Sequence, residues 1–180
     1  MTIGTRPVAR NIEIKARLTE PDMIRSRVAA LTSAPFELLH QIDTFFDVPH
    51  GRLKVREFAD GSGELIAYHR PNQTGPKESS YTRCPCENAA LLVDTLKGVL
   101  AVTRTVVKRR EVFLLGRTRV HLDDVERLGN FLELEVVLAD GEPAENGRRE
   151  AEELLRTLNI DSSALVAHAY VDLLKQLGRV

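Results

Sequence analysis

The sequence predicts an α+β fold with a largely antiparallel sheet. About eight segments are typical of β-strands, most clearly residues 11–18 with their two-residue alternation of apolar and polar residues, and four segments are typical of helices. Most of the strands follow one another directly along the chain, and strands joined by short turns pair in antiparallel fashion. The 180 residues therefore predict a single domain at residues 11–178, preceded by a flexible leader at residues 1–10.

The first strand is predicted at residues 11–18, because Ile12 and Ile14 occupy one phase of the alternation. A helix begins at Pro21 and ends near residues 33–35, since proline is favoured in the first turn of a helix. Seven later strands are predicted from β-like runs bounded by turn and loop residues, at residues 41–48, 52–58, 64–70, 77–83, 103–115, 117–125 and 130–138. The three later helices are predicted at residues 87–99, 146–158 and 162–177.

The composition excludes several classes of function. A hydrophobic fraction of 43% and a charged fraction of 28% are ordinary for a globular protein, and no apolar run approaches the ~20 residues of a membrane-spanning helix. Residues 1–10 lack the apolar stretch of a secretory signal, and Cys84 and Cys86 are too few for a disulfide framework or the usual zinc site. A net charge of -1 and the absence of tryptophan disfavour nucleic-acid binding. We therefore expect a cytoplasmic protein that binds neither nucleic acid nor membranes.

The polar phase of the predicted strands is unusually rich in charge. A solvated sheet face with cross-strand ion pairs would explain any single strand. The four helices, however, have apolar faces that would cover the apolar phase from outside, so the charged phase would face a wide, hydrated barrel or cleft. Nine basic residues are predicted to face inward: Lys15, Arg17, Lys54, Arg56, Arg70, Lys108, Arg110, Arg117 and Arg119. Four acidic residues share that phase: Glu13, Asp123, Glu133 and Glu135.

This distribution of charge predicts the class of ligand. An excess of five positive charges inside a protein whose net charge is -1 favours a polyanion, because like charges crowded together repel each other. Carboxylates beside a polyanion site are typical ligands of Mg²⁺ or Mn²⁺. A basic cavity with an oxygen-bound metal indicates phosphoryl or nucleotidyl transfer.

The order and spacing of these charged motifs resemble the CYTH domain family, also called the triphosphate tunnel metalloenzymes, which includes class IV adenylate cyclases and thiamine triphosphatases. The ExExK motif on the family's first strand corresponds to residues 11–15, Asn-Ile-Glu-Ile-Lys. The paired basic residues of the family correspond to residues 54–56 and 108–110, and the late ExE motif corresponds to residues 133–135. The segment at residues 119–133 is especially similar to bacterial class IV cyclases. The resemblance extends over nearly the whole chain.

The resemblance implies an eight-stranded antiparallel closed β-barrel that forms a tunnel, with helices packed outside. It also implies a triphosphate-bearing substrate, such as tripolyphosphate, thiamine triphosphate or ATP, and Mg²⁺ or Mn²⁺ as cofactor. The matching positions imply the metal ligands Glu13, Glu133 and Glu135. They imply a triphosphate cradle of Lys54, Arg56, Arg70, Lys108, Arg110 and Arg119. Lys15 would lie beside the reacting phosphate and Asp123 would orient water or a second metal, which makes both of them candidate catalytic residues.

Four further residues are candidates for substrate binding. Arg17 and His121 share the charged phase of their strands, and His121 would donate a hydrogen bond to phosphate or shuttle a proton. Lys77 follows a loop containing glycine and proline that could fold over the substrate. Tyr68 is expected either to contact phosphate or a base, or to pack in the core.

The chain departs from the family pattern at two points. Asn11 stands where the first glutamate of ExExK is expected, so a neutral amide oxygen replaces a charged ligand. The leader lacks the His-Phe pair that precedes ExExK in class IV cyclases. Three functions stay open: a triphosphatase, a class IV adenylate cyclase that makes cyclic AMP from ATP, and a non-catalytic module that binds nucleotides or polyphosphate. An exposed face on the last predicted helix would also allow a homodimer.

Overall fold

A computed structural model describes residues 8–178, and the strands within them close into a barrel. The strands are β1 (Ala9–Arg17), β2 (Glu37–Phe46), β3 (Arg52–Phe58), β4 (Gly63–His69), β5 (Lys77–Cys86), β6 (Val102–Leu115), β7 (Thr118–Val125) and β8 (Gly129–Val137). Neighbouring strands are antiparallel in the order β1-β5-β4-β3-β2-β6-β7-β8, and β8 pairs with β1 to close the sheet. The prediction of an α+β fold with a closed eight-stranded antiparallel barrel is confirmed.

The described residues form four α-helices, three of which cover the apolar outward phase of the strands, whereas the last one closes one end of the barrel. They are α1 (Pro21–Ala29), α2 (Ala89–Lys97), α3 (Ala144–Thr157) and α4 (Tyr170–Leu177). Ile12 and Ile14 of β1 are buried in one cluster with Leu132 and Leu134 of β8 and Leu155 of α3. The main core therefore lies between the sheet and the outer helices, and a second cluster, which includes Phe45, Phe131 and Leu174, fills the barrel end beneath α4. The polar side chains of the strands face the rest of the barrel interior. None of the described helices is long and apolar enough to cross a membrane.

Gly147 allows α3 to approach β1 closely. A Cβ atom at this position would lie 2.7 Å from Cγ1 of Ile12 and 2.8 Å from Cδ2 of Leu138, so the neighbouring side chains would have to shift. A larger residue would therefore disturb the strand that carries Glu13 and Lys15.

The C-terminal segment differs from the single helix that was predicted at residues 162–177. A short 3₁₀ turn (Ser162–Ala164) precedes a non-helical stretch at residues 165–169, and only then does α4 begin. Leu165 forms a β-bridge with Ala16, and the N–H of Val166 donates to the carbonyl oxygen of Lys15 at 2.9 Å. Pairing with β1 replaces helical hydrogen bonds here, and it leads the chain across one end of the barrel.

Other boundaries move by a few residues. Helix α1 ends at Ala29 rather than near residues 33–35, and β2 begins at Glu37 because its first residues pair with the long strand β6. Strand β1 begins at Ala9, so the end of the predicted leader belongs to the sheet, whereas residues 1–7 of that leader lie outside the described residues.

Candidate active site

The inward phase of the strands surrounds a cavity of about 330 Å³ inside the barrel. Eight basic side chains line it: Lys15, Lys54, Arg56, Arg70, Arg83, Lys108, Arg110 and Arg119. Six acidic side chains line it as well: Glu13, Glu37, Asp43, Glu64, Glu133 and Glu135. The lining therefore has two more basic than acidic residues, a smaller excess than the five that the sequence predicted.

The cavity brings together twelve of the predicted site residues: Glu13, Lys15, Lys54, Arg56, Tyr68, Arg70, Lys108, Arg110, Arg119, His121, Glu133 and Glu135. Two more, Lys77 and Asp123, are buried beside it. The Nζ atom of Lys77 donates to the carbonyl oxygen of Gln73 at 2.9 Å, and the carboxylate of Asp123 is bonded to Arg110.

Two predicted inward cations lie outside the cavity. Arg17, the last residue of β1, donates to a backbone carbonyl at 2.7 Å and stacks over the ring of Phe131 at 4.7 Å. Arg117 precedes β7 and forms an ion pair with Glu142 at 2.6 Å. Both residues lie at strand ends, where the alternation no longer fixes the direction of the side chain. Arg17 and Arg117 are thus corrections to the predicted inward set.

Asp43 is an acidic residue of the cavity that the sequence analysis missed. Its carboxylate accepts hydrogen bonds from Lys54 at 2.8 Å, from Arg56 at 2.7 and 2.9 Å, and from Lys108 at 2.7 Å. Although burial disfavours its charge, these cations hold the pKa of Asp43 well below its usual range. The sequence signal was weak because Phe45, an apolar residue, continues the inward phase of β2.

Burial and neighbouring positive charge both lower the pKa of the lysines in the basic wall, which consists of Lys54 and Arg56 on β3 and Lys108 on β6. Burial and the nearby guanidinium of Arg56 lower the pKa of Lys54 to about 8. Burial, together with Arg56 and Arg110, lowers the pKa of Lys108 to about 7. Asp43 opposes both shifts but does not overcome them. The cluster therefore favours an additional anion, since an anion would stabilise the charged lysines.

The opposite wall, built by β1, β7 and β8, holds carboxylates that are bonded to cations. Glu133 accepts a hydrogen bond from Lys15 at 2.8 Å on Oε1 and one from Arg110 at 2.6 Å on Oε2. Arg110 also binds both oxygens of Asp123 at 2.6 Å. Burial opposes the charge of Glu133, but Lys15 and its other neighbours hold the pKa of Glu133 well below its usual range.

Two further ion pairs complete this acidic wall. Oε2 of Glu135 is bonded to Arg119, with 2.7 Å to the nearest guanidinium nitrogen. The carboxylate of Glu13 is bonded to Arg70. Burial and the charge of Glu133 nevertheless raise the pKa of Glu13, which distinguishes it from the other carboxylates of the wall.

His121 on β7 lies next to these carboxylates. Its Nδ1 atom is buried and has no hydrogen-bond partner in the part of the chain that the structure describes; it lies 3.8 Å from Oε2 of Glu133 and 3.9 Å from Oε1 of Glu135. Burial and the charge of Arg110 lower the pKa of His121, which favours the neutral ring. One ligand atom from each of His121, Glu133 and Glu135 lies within 4.8 Å of the others. A neutral imidazole and two carboxylates are a donor set that fits a divalent cation.

The C-terminal segment brings a residue into the cavity that the sequence analysis did not consider. Tyr170, the first residue of α4, donates a hydrogen bond to Asp123 at 2.7 Å, and Nζ of Lys15 lies 3.7 Å from the centre of its ring. The carbonyl oxygen of Ala167 accepts a hydrogen bond from Arg70 at 3.0 Å. A continuous helix was predicted here, and no pattern in the sequence indicated that its start faces the barrel interior.

Asn11 also faces the cavity, in the inward phase of β1 next to Glu13. Asn11 is 3% exposed, and Oδ1 has no hydrogen-bond partner within residues 8–178. A buried acceptor without a donor is costly, so the position is suited to a ligand that supplies one or to a cation.

Comparison with known proteins identifies the family. Residues 9–170 match the family model of the CYTH domain. The chain belongs to the CYTH family. The adenylate cyclase CyaB of Aeromonas hydrophila is 28% identical over 180 residues, which cover 92% of this chain and 88% of the relative. The resemblance that the charged motifs indicated is thereby confirmed.

The CYTH fold recurs in solved structures. The PH1012 protein from Pyrococcus horikoshii has a TM-score of 0.80 at 22% identity, with 91% of this chain and 98% of the other covered. The Hippeastrum protein HpAC1, which has a dominant triphosphatase activity, has a TM-score of 0.63 at 19% identity, with 93% and 96% covered. At these identities the likeness shows the shared CYTH barrel.

Proposed function

We propose that this CYTH protein is a metal-dependent enzyme that acts on a triphosphate-bearing substrate inside the barrel. The observation that carries the proposal is the arrangement of two unlike walls around one cavity. Lys54, Arg56 and Lys108 form a basic wall around a single carboxylate, and His121, Glu133 and Glu135 form a cluster of potential metal ligands. A bound triphosphate is stabilised by several positively charged hydrogen-bond donors, and a divalent cation assists the transfer of its phosphoryl groups.

The roles of the side chains follow from their positions. Lys54, Arg56 and Lys108 would donate to phosphate oxygens and hold the triphosphate in line for attack. Glu133 and Glu135 would hold the cation, which we propose to be Mg²⁺, Mn²⁺ or a related divalent ion. A bound cation supplies charge neutralisation and polarises the phosphoryl oxygens. Lys15, held between Glu133 and the ring of Tyr170, would stabilise the charge of the reacting phosphate.

Binding in this cavity requires an exchange of partners. Lys15, Arg110 and Arg119 are already bonded to the carboxylates of Glu133 and Glu135. A triphosphate would take over the cations, and a metal ion would take over the carboxylates released from them. Each ligand therefore removes part of the cost of binding the other, so we expect the metal and the triphosphate to bind cooperatively.

Hydrolysis and cyclisation differ in the phosphorus that is attacked and in the nucleophile. Water attacking the terminal phosphorus gives orthophosphate, whereas the 3′-hydroxyl of ATP attacking the α-phosphorus gives pyrophosphate and cyclic AMP. The apolar residues Leu39, Phe58 and Val112 also line the cavity, and the strand register places them toward one end of the barrel. An apolar end of the cavity favours a triphosphate that carries an organic group. ATP is such a compound, and it would be a substrate for hydrolysis as well as for cyclisation.

Product analysis tests the proposal. Purified protein is incubated with tripolyphosphate, thiamine triphosphate and ATP in the presence of Mg²⁺ or Mn²⁺, and orthophosphate, pyrophosphate and cyclic AMP are measured. We expect metal-dependent turnover of at least one substrate, with Arg56→Met as the variant that loses it. Saturable binding without any product would instead assign the chain as a non-catalytic polyphosphate-binding module. The absence of both binding and turnover would contradict the proposal.

A further inference from the structure

The Nδ1 atom of His121 is a buried polar atom that phosphate binding does not account for. It faces the two carboxylates of the acidic wall, at 3.8 Å from Glu133 and 3.9 Å from Glu135, and the side chain is almost completely buried. These distances are too long for hydrogen bonds, and Nδ1 has no partner elsewhere among the described residues. A role as a phosphate donor would require this atom to face the basic wall instead.

The spacing suits atoms that share one cation. Two ligand atoms bound to one metal ion at about 2.1 Å lie about 3 to 3.5 Å apart. The distances from Nδ1 to the two carboxylate oxygens, 3.8 and 3.9 Å, would have to shorten by about 0.3 to 0.9 Å to reach that spacing, and ligand atoms of the three residues lie within 4.8 Å of one another. The oxygen of Glu135 that faces His121 is Oε1, whereas Arg119 donates to Oε2.

Oε2 of Glu133, the oxygen that faces His121, can also exchange its hydrogen bond with Arg110 for a bond to a cation. Oε2 of Glu133 accepts a hydrogen bond from Arg110, but Arg110 keeps two hydrogen bonds to Asp123 at 2.6 Å when that contact is lost. A cation could therefore displace Arg110 from Glu133 without leaving the guanidinium unpaired.

We propose that His121 is a nitrogen ligand of the cation held by Glu133 and Glu135, and that it shifts the site toward first-row transition metals and away from Mg²⁺. This inference rests on the proposed metal dependence. Imidazole is a preferred ligand of Zn²⁺, Ni²⁺ and Fe²⁺, whereas Mg²⁺ is held by oxygen atoms and water. An all-oxygen site would favour the transition metals over Mg²⁺ less strongly.

Replacing the nitrogen ligand by an oxygen ligand tests the inference. Affinities of the apo protein for Co²⁺, Zn²⁺ and Mg²⁺, each added alone, are measured by calorimetry for the wild type and for His121→Asp. We expect the variant to lose at least tenfold in affinity for Co²⁺ and Zn²⁺, while its affinity for Mg²⁺ is unchanged or raised. The control is His40→Asp, which makes the same substitution at an exposed position of β2.

A spectroscopic measurement on the unmodified protein keeps the test independent of the variant's folding. Mn²⁺ bound to the wild type should show hyperfine coupling to a histidine nitrogen, and this coupling should disappear in His121→Gln. The absence of nitrogen coupling in the wild type, or equal losses for all three metals in His121→Asp, would overturn the inference. If the wild type shows the nitrogen coupling but does not turn over any triphosphate, only the proposed function is contradicted.

Discussion

Asp43 of β2 and Lys108 of β6 form a buried ion pair in the wall of the barrel, with 2.7 Å between Oδ2 and Nζ. The same carboxylate also forms ion pairs with Lys54 and Arg56. Because a single negative charge is shared by three cations, this wall keeps a net positive charge when no ligand is bound. The pair explains how the barrel can hold so many cations in its interior and still bind a polyanion.

Replacing Asp43 by asparagine should tighten the binding of triphosphate while destabilising the fold. The substitution removes the internal anion that competes with phosphate for the three cations. We expect tripolyphosphate to bind about tenfold more tightly, which corresponds to about 1.4 kcal/mol. Binding is measured at about pH 6, because the loss of Asp43 lowers the pKa of Lys54 and Lys108 further. The free energy of unfolding should fall by about 3 kcal/mol, because buried cations lose their partner.

Calorimetry and chemical denaturation measure these two effects. The control is Glu57→Gln, which makes the same change in net charge on a strand of the same wall but at a position that does not line the cavity. Unchanged or weaker binding in Asp43→Asn would show that Asp43 does not compete with the phosphate.

The depressed pKa of Lys108 predicts a pH dependence of stability. Between about pH 7, its pKa in the folded protein, and 10.5, its ordinary value, the unfolded chain binds a proton that the folded chain does not. Stability contributed by this site therefore increases as the pH rises through that window, by up to about 1.4 kcal/mol per pH unit. Lys108→Met should remove this contribution.

Denaturation of both proteins at pH 7, 8 and 9 isolates the effect as a difference of slopes. Arg109→Met is the matched control, since Arg109 is the neighbouring residue on β6 but does not line the cavity. Equal slopes in the wild type and in Lys108→Met would mean that Lys108 titrates in its ordinary range.

The closed eight-stranded barrel was implied by the resemblance to the CYTH family. Strand alternation predicted most of the cavity lining, because period two fixes which side chains share a face. It failed at Arg17 and Arg117, where the strands end, and it could not show the ion pairs between strands distant in sequence, such as Arg110 with Glu133. Tyr170 was missed because a helical pattern does not show that the first residue of the last helix faces the barrel interior. The partners of an ion pair, and the path of a segment across the end of the barrel, depend on tertiary contacts that a local sequence pattern does not contain.

Removing either carboxylate of the potential metal cluster should abolish the metal-dependent part of ligand stabilisation. A ligand that binds only the folded state raises the melting temperature, and a neutral amide is a weaker ligand than a carboxylate. We expect Glu133→Gln and Glu135→Gln to melt at the same temperature with tripolyphosphate whether or not Mn²⁺ is present. The control is Glu64→Gln, a cavity acid outside the cluster. An undiminished Mn²⁺-dependent shift in both variants would place the metal elsewhere.

Restoring the family residue at position 11 should strengthen metal binding. Asn11→Glu would add a buried carboxylate next to Glu13. Burial and the neighbouring acid oppose its charge, as burial and Glu133 do for Glu13, and a bound cation would offset both effects. We expect about tenfold tighter Mn²⁺ binding, or about 1.4 kcal/mol, measured by calorimetry. Asn11→Gln separates the effect of charge from that of size. If Asn11→Glu instead lowers triphosphate affinity and leaves metal binding unchanged, the amide of Asn11 contacts the substrate directly.

Titration of the protein with tripolyphosphate in the presence of Mn²⁺, carried out on the wild type and on Arg56→Met, tests the central claim most directly. The two-walled cavity predicts saturable binding of one triphosphate per chain, weakened about tenfold or more in the variant, because a charged hydrogen bond to phosphate contributes about 1.5 to 3 kcal/mol. Circular dichroism establishes that the variant is folded. Lack of saturable binding by the wild type, or equal affinity of the folded variant, would contradict the assignment of the barrel interior as a triphosphate site.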